Sequence, residues 1–188
     1  VELTKLLVSD RPEYLRNAWE AGITEIVLPE FDLLMKTPQN NPHHRFSVGG
    51  HTLESLRYVP ADRVLRWTML LHDMGKPKCR TTDEEGVDHF KGHGRAGVEL
   101  AKEILRRLKF DNDTIRKVTV LIQWHDCRMN AEVKAVRRIM SRITPELFRL
   151  LMDVQYADAM AQSEYRRKEK LERIEKVRRV SRKILEEN

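Results

Sequence analysis

The sequence predicts an all-α protein, and three observations carry that prediction. Of its 188 residues, 34% are charged and only 6% are aromatic. Apolar residues recur every three or four positions, which is the period of an amphipathic helix, and the alternation typical of strands is rare. Prolines and capping residues divide the chain into segments of helical length. We therefore expect a helical bundle around one core, with essentially no sheet.

Residues 1–42 are predicted to form a helical lead-in. Short helices are expected over residues 2–8 and from about residue 12 to residue 20. An apolar stripe that includes Ile26 runs to Met35, but Pro29 interrupts it, which predicts a kink or a break. The two prolines and adjacent asparagines that follow predict a loop that ends at His43 and His44, where its polar side chains suit the rim of a pocket.

The core is predicted to span residues 43–162. Two features separate its helices: Pro60 ends the first, and a polar connection from Lys78 to Lys91 follows the second. Asp113 is expected to cap the fourth helix and Thr144 the sixth, which has a proline at its first position. The six helices are expected at residues 48–58, 61–74, 93–108, 114–124, 131–143 and 145–160.

Residues 163–188 are predicted to form a basic helix that packs on the core. Ten basic and six acidic residues lie between Ser163 and Glu187, so this segment carries most of the net charge of +6. A narrow apolar stripe faces the core, and the opposite face is expected to be solvated or, alternatively, to contact a phosphate backbone. The stripe consists of Leu171, Ile174, Val177 or Val180, and Ile184.

The net charge and the composition indicate which partners the protein binds and in which compartment it is found. The net charge of +6 favours anionic partners such as nucleotides or RNA, although a solvated basic surface explains it equally well. Cys79 and Cys127 lack paired spacing, which indicates free thiols in a reducing compartment. No apolar run reaches membrane-spanning length, so a soluble cytoplasmic protein is expected. The first residue, Val1, indicates either a portion cut from a longer protein or a stand-alone relative of one, and the oligomeric state is not indicated.

One dipeptide, His72-Asp73, lies where an apolar helix meets Gly75. An imidazole nitrogen and a carboxylate oxygen together suit first-row divalent cations. Asp158 lies on another apolar helix, where a buried carboxylate is costly unless it is paired or metal-bound. Together with His51, these residues resemble the H…HD…D signature of the HD phosphohydrolase superfamily, which implies an HD-domain helical bundle with a metal site between its helices.

His93 and His125 extend the resemblance to the H…HD…H…H…D pattern of two-metal HD enzymes, which include cyclic-dinucleotide phosphodiesterases and bacterial dinucleoside tetraphosphate hydrolases. The resemblance implies that Asp73 bridges two ions of Fe, Mn, Co, Ni or Zn, with Mg also possible. Alternatively, the site holds one ion, and His93 and His125 bind substrate. The implied ligands are His51, His72, Asp73, His93, His125 and Asp158.

A longer stretch, from Val1 to about Glu175, resembles the HD region of the bacterial tRNA nucleotidyltransferase/poly(A) polymerase family. The nucleotidyltransferase head of that family, with its Gly-Ser loop and paired aspartates, is absent from this sequence, so polymerase activity is not implied. The residues that carry the resemblance are Glu2-Leu3-Thr4-Lys5-Leu6-Leu7, Leu28-Pro29-Glu30-Phe31-Asp32, the Thr37 to His44 segment with Val48-Gly49-Gly50-His51-Thr52, Leu71-His72-Asp73-Met74-Gly75-Lys76-Pro77 and Tyr156-Ala157-Asp158-Ala159-Met160-Ala161-Gln162.

The implied chemistry is metal-assisted hydrolysis of a phosphoester. Two cations can bind a phosphate ester, acidify a water molecule and neutralise the leaving oxygen. Asp73 and Lys76 are the candidate catalytic residues, and Lys76, Arg95 and Arg128 are the candidate phosphate contacts. We expect a phosphohydrolase or phosphodiesterase acting on a nucleotide or an RNA end, for example a 2′,3′-cyclic phosphate. The alternatives are a dinucleoside polyphosphate hydrolase and a non-catalytic tRNA-binding module.

Overall fold

The computed structural model describes residues 1–187, which form twelve α-helices, one 3-10 helix and one two-stranded hairpin. The all-α prediction is confirmed. The expectation of essentially no sheet needs one small correction, because two short strands pair within the polar connection between residues 78 and 91. Asn188, the end of the predicted basic segment, lies outside the described residues.

The N-terminal helices are short, and Pro29 divides two of them as predicted. Pro29 is the first residue of α4, where its missing N–H is not needed. The predicted apolar stripe is wrong at Ile26, which is 84% exposed, but its residues Phe31 and Leu34 are buried in the core, together with Leu28. The elements are α1 (Glu2–Leu7), a 3-10 helix (Pro12–Tyr14), α2 (Leu15–Glu20), α3 (Ile23–Val27) and α4 (Pro29–Lys36).

The next helices carry most of the candidate site. The helix expected to run to Met74 ends at Leu71, and the turn that follows has the Met74 N–H donating to the Leu71 carbonyl three residues earlier instead of four. The strands pair antiparallel, with Thr81 opposite His89. The elements are α5 (Val48–Leu56), α6 (Arg63–Leu71), α7 (Lys76–Cys79), β1 (Thr81–Thr82), β2 (Asp88–His89), α8 (His93–Arg107) and α9 (Asn112–Trp124).

Two caps decide where α9 and α11 begin. Asp111, and not Asp113 as predicted, caps α9: its Oδ1 accepts a hydrogen bond from the Thr114 N–H at 2.8 Å. Asp113 lies in the first turn of α9 and forms an ion pair with Lys117, one turn later. Thr144 caps α11 as predicted, accepting from the Leu147 N–H. The last three helices are α10 (Val133–Ile143), α11 (Pro145–Ala161) and α12 (Arg167–Glu186).

The core consists of two apolar clusters that meet along α11. The first cluster joins α1 to α9 and includes Phe31 and Trp67; the second joins α9 to α12 and includes Phe148. The basic helix α12 buries Ile174, Val177 and Ile184 in the second cluster, as its apolar stripe predicts. No helix within the described residues combines the length and the apolar composition that crossing a bilayer requires.

Candidate metal centre

Six histidine and aspartate side chains converge where the bundle helices meet. They come from α5, the end of α6, the start of α8, the end of α9, and α11. In each of two triads, the potential ligand atoms all lie within 4.8 Å of one another. The structure therefore brings together all six of the residues that the sequence singles out as ligands. The triads are His51, His72 and Asp158, and Asp73, His93 and His125.

Asp73 lies between the four histidines and faces two of them with each oxygen. Its Oδ2 is 3.2 Å from Nε2 of His72 and 3.8 Å from Nε2 of His51. Its Oδ1 is 3.7 Å from Nε2 of His93 and 3.8 Å from Nε2 of His125. A carboxylate that divides its oxygens in this way is positioned to bridge two cations.

Three of the histidines are oriented by a hydrogen bond from Nδ1 to the backbone carbonyl three residues earlier. A carbonyl oxygen only accepts, so Nδ1 carries the proton and the neutral ring presents its Nε2 lone pair. Metal-binding histidines are commonly held in this way. The Nδ1 to oxygen distances are 2.7 Å from His72 to Met69, 2.9 Å from His93 to Phe90 and 2.6 Å from His125 to Ile122.

The Nε2 atoms of three histidines show whether divalent cations fit this arrangement. Nε2 of His72 is buried and has no hydrogen-bond partner within the described chain. Nε2 of His93 lies 3.2 Å from Nε2 of His125, so two lone pairs face each other. Two ligands bound to one tetrahedral or octahedral cation at about 2.1 Å lie about 3.0–3.4 Å apart. The donor types and their separations therefore fit divalent cations.

Burial and mutual interaction set the charges of these side chains. Burial, and then the neighbouring His72, lower the pKa of His125 to about 4, which keeps that ring neutral near pH 7. Burial alone would lower the pKa of His72, but the carboxylates of Asp73 and Asp158 raise it to about 10. Burial alone would raise the pKa of Asp73, but His72 and Lys76 hold it well below its usual range. Asp73 is thus ionised.

Close backbone packing at Gly75 places Asp73 beside α8. A Cβ atom on Gly75 would lie 2.1 Å from the carbonyl oxygen of His93 and 2.6 Å from the amide nitrogen of Gly97. Real Cβ atoms do not approach backbone this closely, so only glycine permits this contact. The absence of a side chain at Gly75 therefore lets the start of α8 pack closely enough to bring His93 within reach of Asp73.

Lys76 is a buried cation at the edge of the centre. It is only 6% exposed, and its Nζ lies 2.8 Å from Oδ2 of Asp73. It also donates to Oε1 of Gln39 at 2.7 Å and lies 5.3 Å from the ring centroid of Phe90. These contacts compensate the burial of its charge. Contact of Lys76 with a phosphate remains a prediction.

An open cleft of about 670 Å³ leads to the metal centre. This volume lies within the range of small-molecule sites. Arg128 lines the cleft, whereas Arg95 is exposed on α8 and is not among the lining residues. His43 and His44, which were expected at a rim, also line the cleft, and so does His89. A phosphate contact by Arg95 or Arg128 stays a prediction.

The hairpin forms one wall of the cleft and is fixed to the loop before α5. The buried Asp88 carboxylate accepts hydrogen bonds from the Asn40 N–H at 2.8 Å and from the Thr82 hydroxyl at 2.8 Å. The Asp88 N–H in turn donates to the Asn40 carbonyl at 2.9 Å. The polar connection from Lys78 to Lys91 is therefore anchored to the loop before α5.

Sequence reasoning missed three residues that support the site. Gln162 donates to Oδ2 of Asp158 at 2.9 Å, and its position one helical turn later is a signal that could have identified it. Gln39 and Lys170 contact Lys76 and Gln162 respectively. Gln39 lies 37 residues before Lys76, and the break between α11 and α12 separates Gln162 from Lys170, so only the fold shows these contacts.

Comparison with known proteins agrees with this geometry. Residues 43–163 match the HD domain family. The A-adding tRNA nucleotidyltransferase of Deinococcus radiodurans is 34% identical over 140 residues, which cover 70% of this chain and 32% of the relative. The CC-adding tRNA nucleotidyltransferase of Thermus thermophilus is 34% identical over 160 residues, 80% of this chain and 37% of the relative.

A Multifunctional CCA protein of Pseudomonas fluorescens is 32% identical over 129 residues, which cover 66% of this chain and 31% of that protein. The chain thus spans about a third of the length of these curated relatives. The matched family is a metal-binding fold of the metal-dependent phosphohydrolase superfamily, and its match covers more than half of the sequence. The chain therefore belongs to the HD domain family.

Proposed function

We propose that this chain is a metal-dependent phosphohydrolase that hydrolyses a phosphoester at the end of an RNA strand or on a nucleotide, with a 2′,3′-cyclic phosphate as the first candidate substrate. The observation that carries the proposal is the position of Asp73, whose two oxygens face two separate pairs of histidines. The resident cations would be one or two of Fe, Mn, Co, Ni, Zn or Mg.

The roles of the chain's own residues follow from their positions. His51, His72 and Asp158 would hold one cation, and His93 and His125 the other. Asp73 would hold both. When bound, two such cations acidify a water molecule and neutralise charge on the phosphate oxygens. The Nδ1 hydrogen bonds hold the Nδ1 proton of three imidazoles, so each ring offers its Nε2 atom to a cation when it is neutral.

Lys76 supplies fixed positive charge beside the reacting phosphate. Its ammonium group lies next to Asp73 and is held by Gln39, so its position is set before substrate arrives. A preorganised cation stabilises the charge that develops on phosphate oxygens in the transition state. Arg128 lines the same cleft and would contact the substrate further from the cations.

Two observations favour an RNA end over a free metabolite as the substrate. The relatives are named for adding nucleotides to tRNA, and the chain carries a net charge of +6, which favours a polyanion. A dinucleoside polyphosphate is the second candidate substrate, because its two-metal hydrolases share the six-ligand pattern. A non-catalytic tRNA-binding module is the third reading, in which cations only hold the helices together.

Hydrolysis of three substrates in parallel tests the proposal. The substrates are an oligoribonucleotide ending in a 2′,3′-cyclic phosphate, a nucleoside 2′,3′-cyclic monophosphate and a diadenosine polyphosphate, each with protein supplied with Mn, Co, Ni, Zn or Fe(II). Asp73→Ala should lose both bound metal and hydrolysis. Asp113→Ala, which removes an exposed carboxylate paired with Lys117, is the matched control and should retain both.

The outcomes of this experiment distinguish the three candidate functions. Preferential hydrolysis of the cyclic phosphates supports the proposal, and preferential hydrolysis of the diadenosine compound replaces it with the second candidate. If the wild-type protein hydrolyses none of the substrates with any metal, while RNA binding survives Asp73→Ala, the binding-module reading holds and the proposal fails.

A further inference from the structure

A second, smaller cavity of about 140 Å³ joins the metal centre to the start of α12. It shares His125 and Asp158 with the large cleft, so the two spaces meet at the candidate ligands. We call this space the α12 arm, and it is defined by Arg128, Lys170 and Arg173. Lys170 and Arg173 have no role in the chemistry described above.

The arginines of the α12 arm have no partners in the chain, unlike other arginines of the same helix. Within residues 1–187, neither Arg128 nor Arg173 makes a hydrogen bond or an ion pair with another side chain. By contrast, Arg166 pairs with Glu169 at 2.6 Å, and Arg178 pairs with Asp153 at 2.9 Å. The unpaired guanidinium groups are therefore available to an external anion.

The carboxylates that line the α12 arm do not neutralise it. Asp158 already accepts hydrogen bonds from His51 and Gln162, and it is a candidate metal ligand. Asp126 is the other lining carboxylate and is exposed to solvent. Three cations therefore share this small space with one carboxylate that is not otherwise engaged.

Lys170 is fixed in the arm by neutral acceptors. It donates to Oε1 of Gln162 and, at 3.1 Å, to Nδ1 of His43. Burial, together with the nearby Arg128 and Arg173, lowers the pKa of Lys170, although the charge of Asp158 opposes this shift. An anion placed among the three cations would relieve their mutual repulsion.

We infer that the α12 arm binds a second phosphate group of the substrate, namely the phosphodiester that precedes the reacting end of an RNA strand. This inference rests on the proposed function. A guanidinium group suits a phosphate because its N–H donors match two phosphate oxygens at once. The volume of the arm, about 140 Å³, is below the roughly 300 Å³ of the smallest usual ligand pockets, so it suits a phosphate group better than a whole nucleoside.

The inference gives the site a preference among the candidate substrates. An oligoribonucleotide end places a phosphodiester next to the reacting phosphate, where the arm meets the cleft. A nucleoside 2′,3′-cyclic monophosphate has no second phosphate and would leave the arm unused. The α12 arm would thus select polymer ends over mononucleotides.

A pair of binding probes tests the arm without relying on hydrolysis. Both are short 5′-fluorescent oligoribonucleotides with a 3′-phosphate, and one carries a neutral methylphosphonate at its last internucleotide linkage. Binding to metal-loaded protein is followed by fluorescence anisotropy. The wild-type protein should bind the fully charged probe about tenfold more tightly, the size expected for one charge-assisted contact. Arg173→Met and Arg128→Met should each remove most of this difference.

Arg179→Met is the matched control, because it removes the same charge from an exposed position on α12. It should preserve the preference for the charged probe. Equal binding of the two probes by the wild-type protein would overturn the inference. The inference would also fail if Arg179→Met and Arg173→Met reduced the difference between the probes equally, because that result would indicate only long-range electrostatics. A probe difference that persists in a protein without hydrolytic activity would support the arm and reject the proposed function alone.

Discussion

His93 and His125 direct their Nε2 atoms at each other across 3.2 Å. The carbonyl groups of Phe90 and Ile122 hold the Nδ1 proton of each ring, so neither Nε2 carries a proton while the rings are neutral. Two facing lone pairs repel unless a positive charge lies between them. Together with Oδ1 of Asp73, this pair could offer three ligand atoms to one cation.

Metal uptake should release protons. The carboxylates of Asp73 and Asp158 outweigh burial and raise the pKa of His72 to about 10, so the metal-free ring is protonated at pH 7. Its Nε2 must lose that proton to bind a cation, and metal affinity should therefore rise as the pH increases from 6 to 9. Titration of Zn or Mn in weakly buffered solution with a pH indicator measures the released protons. Uptake without proton release would show that His72 is not a ligand.

Gly75→Ala should disturb the centre through the backbone. The added Cβ would meet backbone atoms of His93 and Gly97, which cannot move independently of α8. Overpacking of this kind lowers the free energy of unfolding by about 1–3 kcal/mol. Displacement of α8 would also move His93, which should weaken the binding of the cation that His93 and His125 would hold. Thermal unfolding and metal analysis measure the two effects.

Gly94→Ala is the control for that substitution. The nearest atom to its Cβ would lie 4.0 Å away, in ordinary contact. Because alanine favours the helix over glycine, this variant should be neutral or more stable by about 0.4–1 kcal/mol. Equal destabilisation by the two alanines would contradict the assigned role of Gly75.

The contribution of Asp88 to stability should depend on pH. Burial would raise the pKa of Asp88, but the Asn40 N–H, the Thr82 hydroxyl and Arg80 together lower it. A carboxyl group whose pKa is lower in the folded state stabilises the fold above its unfolded pKa of about 3.9 and loses that effect as the pH falls.

Asp88→Asn should therefore be less stable than the wild type at pH 7, and the difference should shrink below about pH 4. Urea unfolding of both proteins between pH 3 and pH 7 measures it. Asp83→Asn, at an exposed position in the same hairpin, should show a smaller difference. If the stability difference between Asp88→Asn and the wild type were independent of pH, the charge of Asp88 would not be what anchors the hairpin that forms the wall of the cleft.

Arg66 joins the end of α1 to the turn before α6. It is 6% exposed and donates to the carbonyl groups of Leu7 at 2.8 Å, Pro60 at 3.0 Å and Val59 at 3.1 Å. Arg66→Met should lower the free energy of unfolding by about 2–4 kcal/mol, because buried carbonyl groups lose their donors.

The exposed Arg57 is the comparison for Arg66, since it only pairs with Glu54 on the surface. Arg57→Met should change the free energy of unfolding by less than about 1 kcal/mol in the same chemical denaturation experiment. Comparable losses in the two variants would show that the carbonyl contacts of Arg66 contribute little.

Local signals in the sequence were sufficient for several parts of the fold. Pro29 and Thr144 each determine a helix start through their own backbone or side-chain chemistry, and both were predicted correctly. The cap of α9 was misplaced by two residues because Asp111 and Asp113 are equally good caps by composition. Ile26 was misassigned because a helix of five residues is too short for apolar spacing to define its buried face.

The candidate ligands were also visible in the sequence, because their order resembles the H…HD…H…H…D pattern of two-metal HD enzymes. Their supporting contacts were not. Gln39 reaches Lys76, and Lys170 reaches His43, only because the chain returns to the same place. Contacts between residues this far apart depend on packing and leave no periodic or local pattern.

The metal content of the wild-type protein tests the central claim most directly. Protein purified without added metal, then loaded with Mn or Zn and dialysed, is analysed for ions per chain by elemental mass spectrometry. The bridging position of Asp73 predicts about two ions per chain in the wild type, about one in His125→Ala and close to none in Asp73→Ala. One ion per chain in both the wild type and His125→Ala would contradict the two-cation account and leave His93 and His125 as substrate contacts.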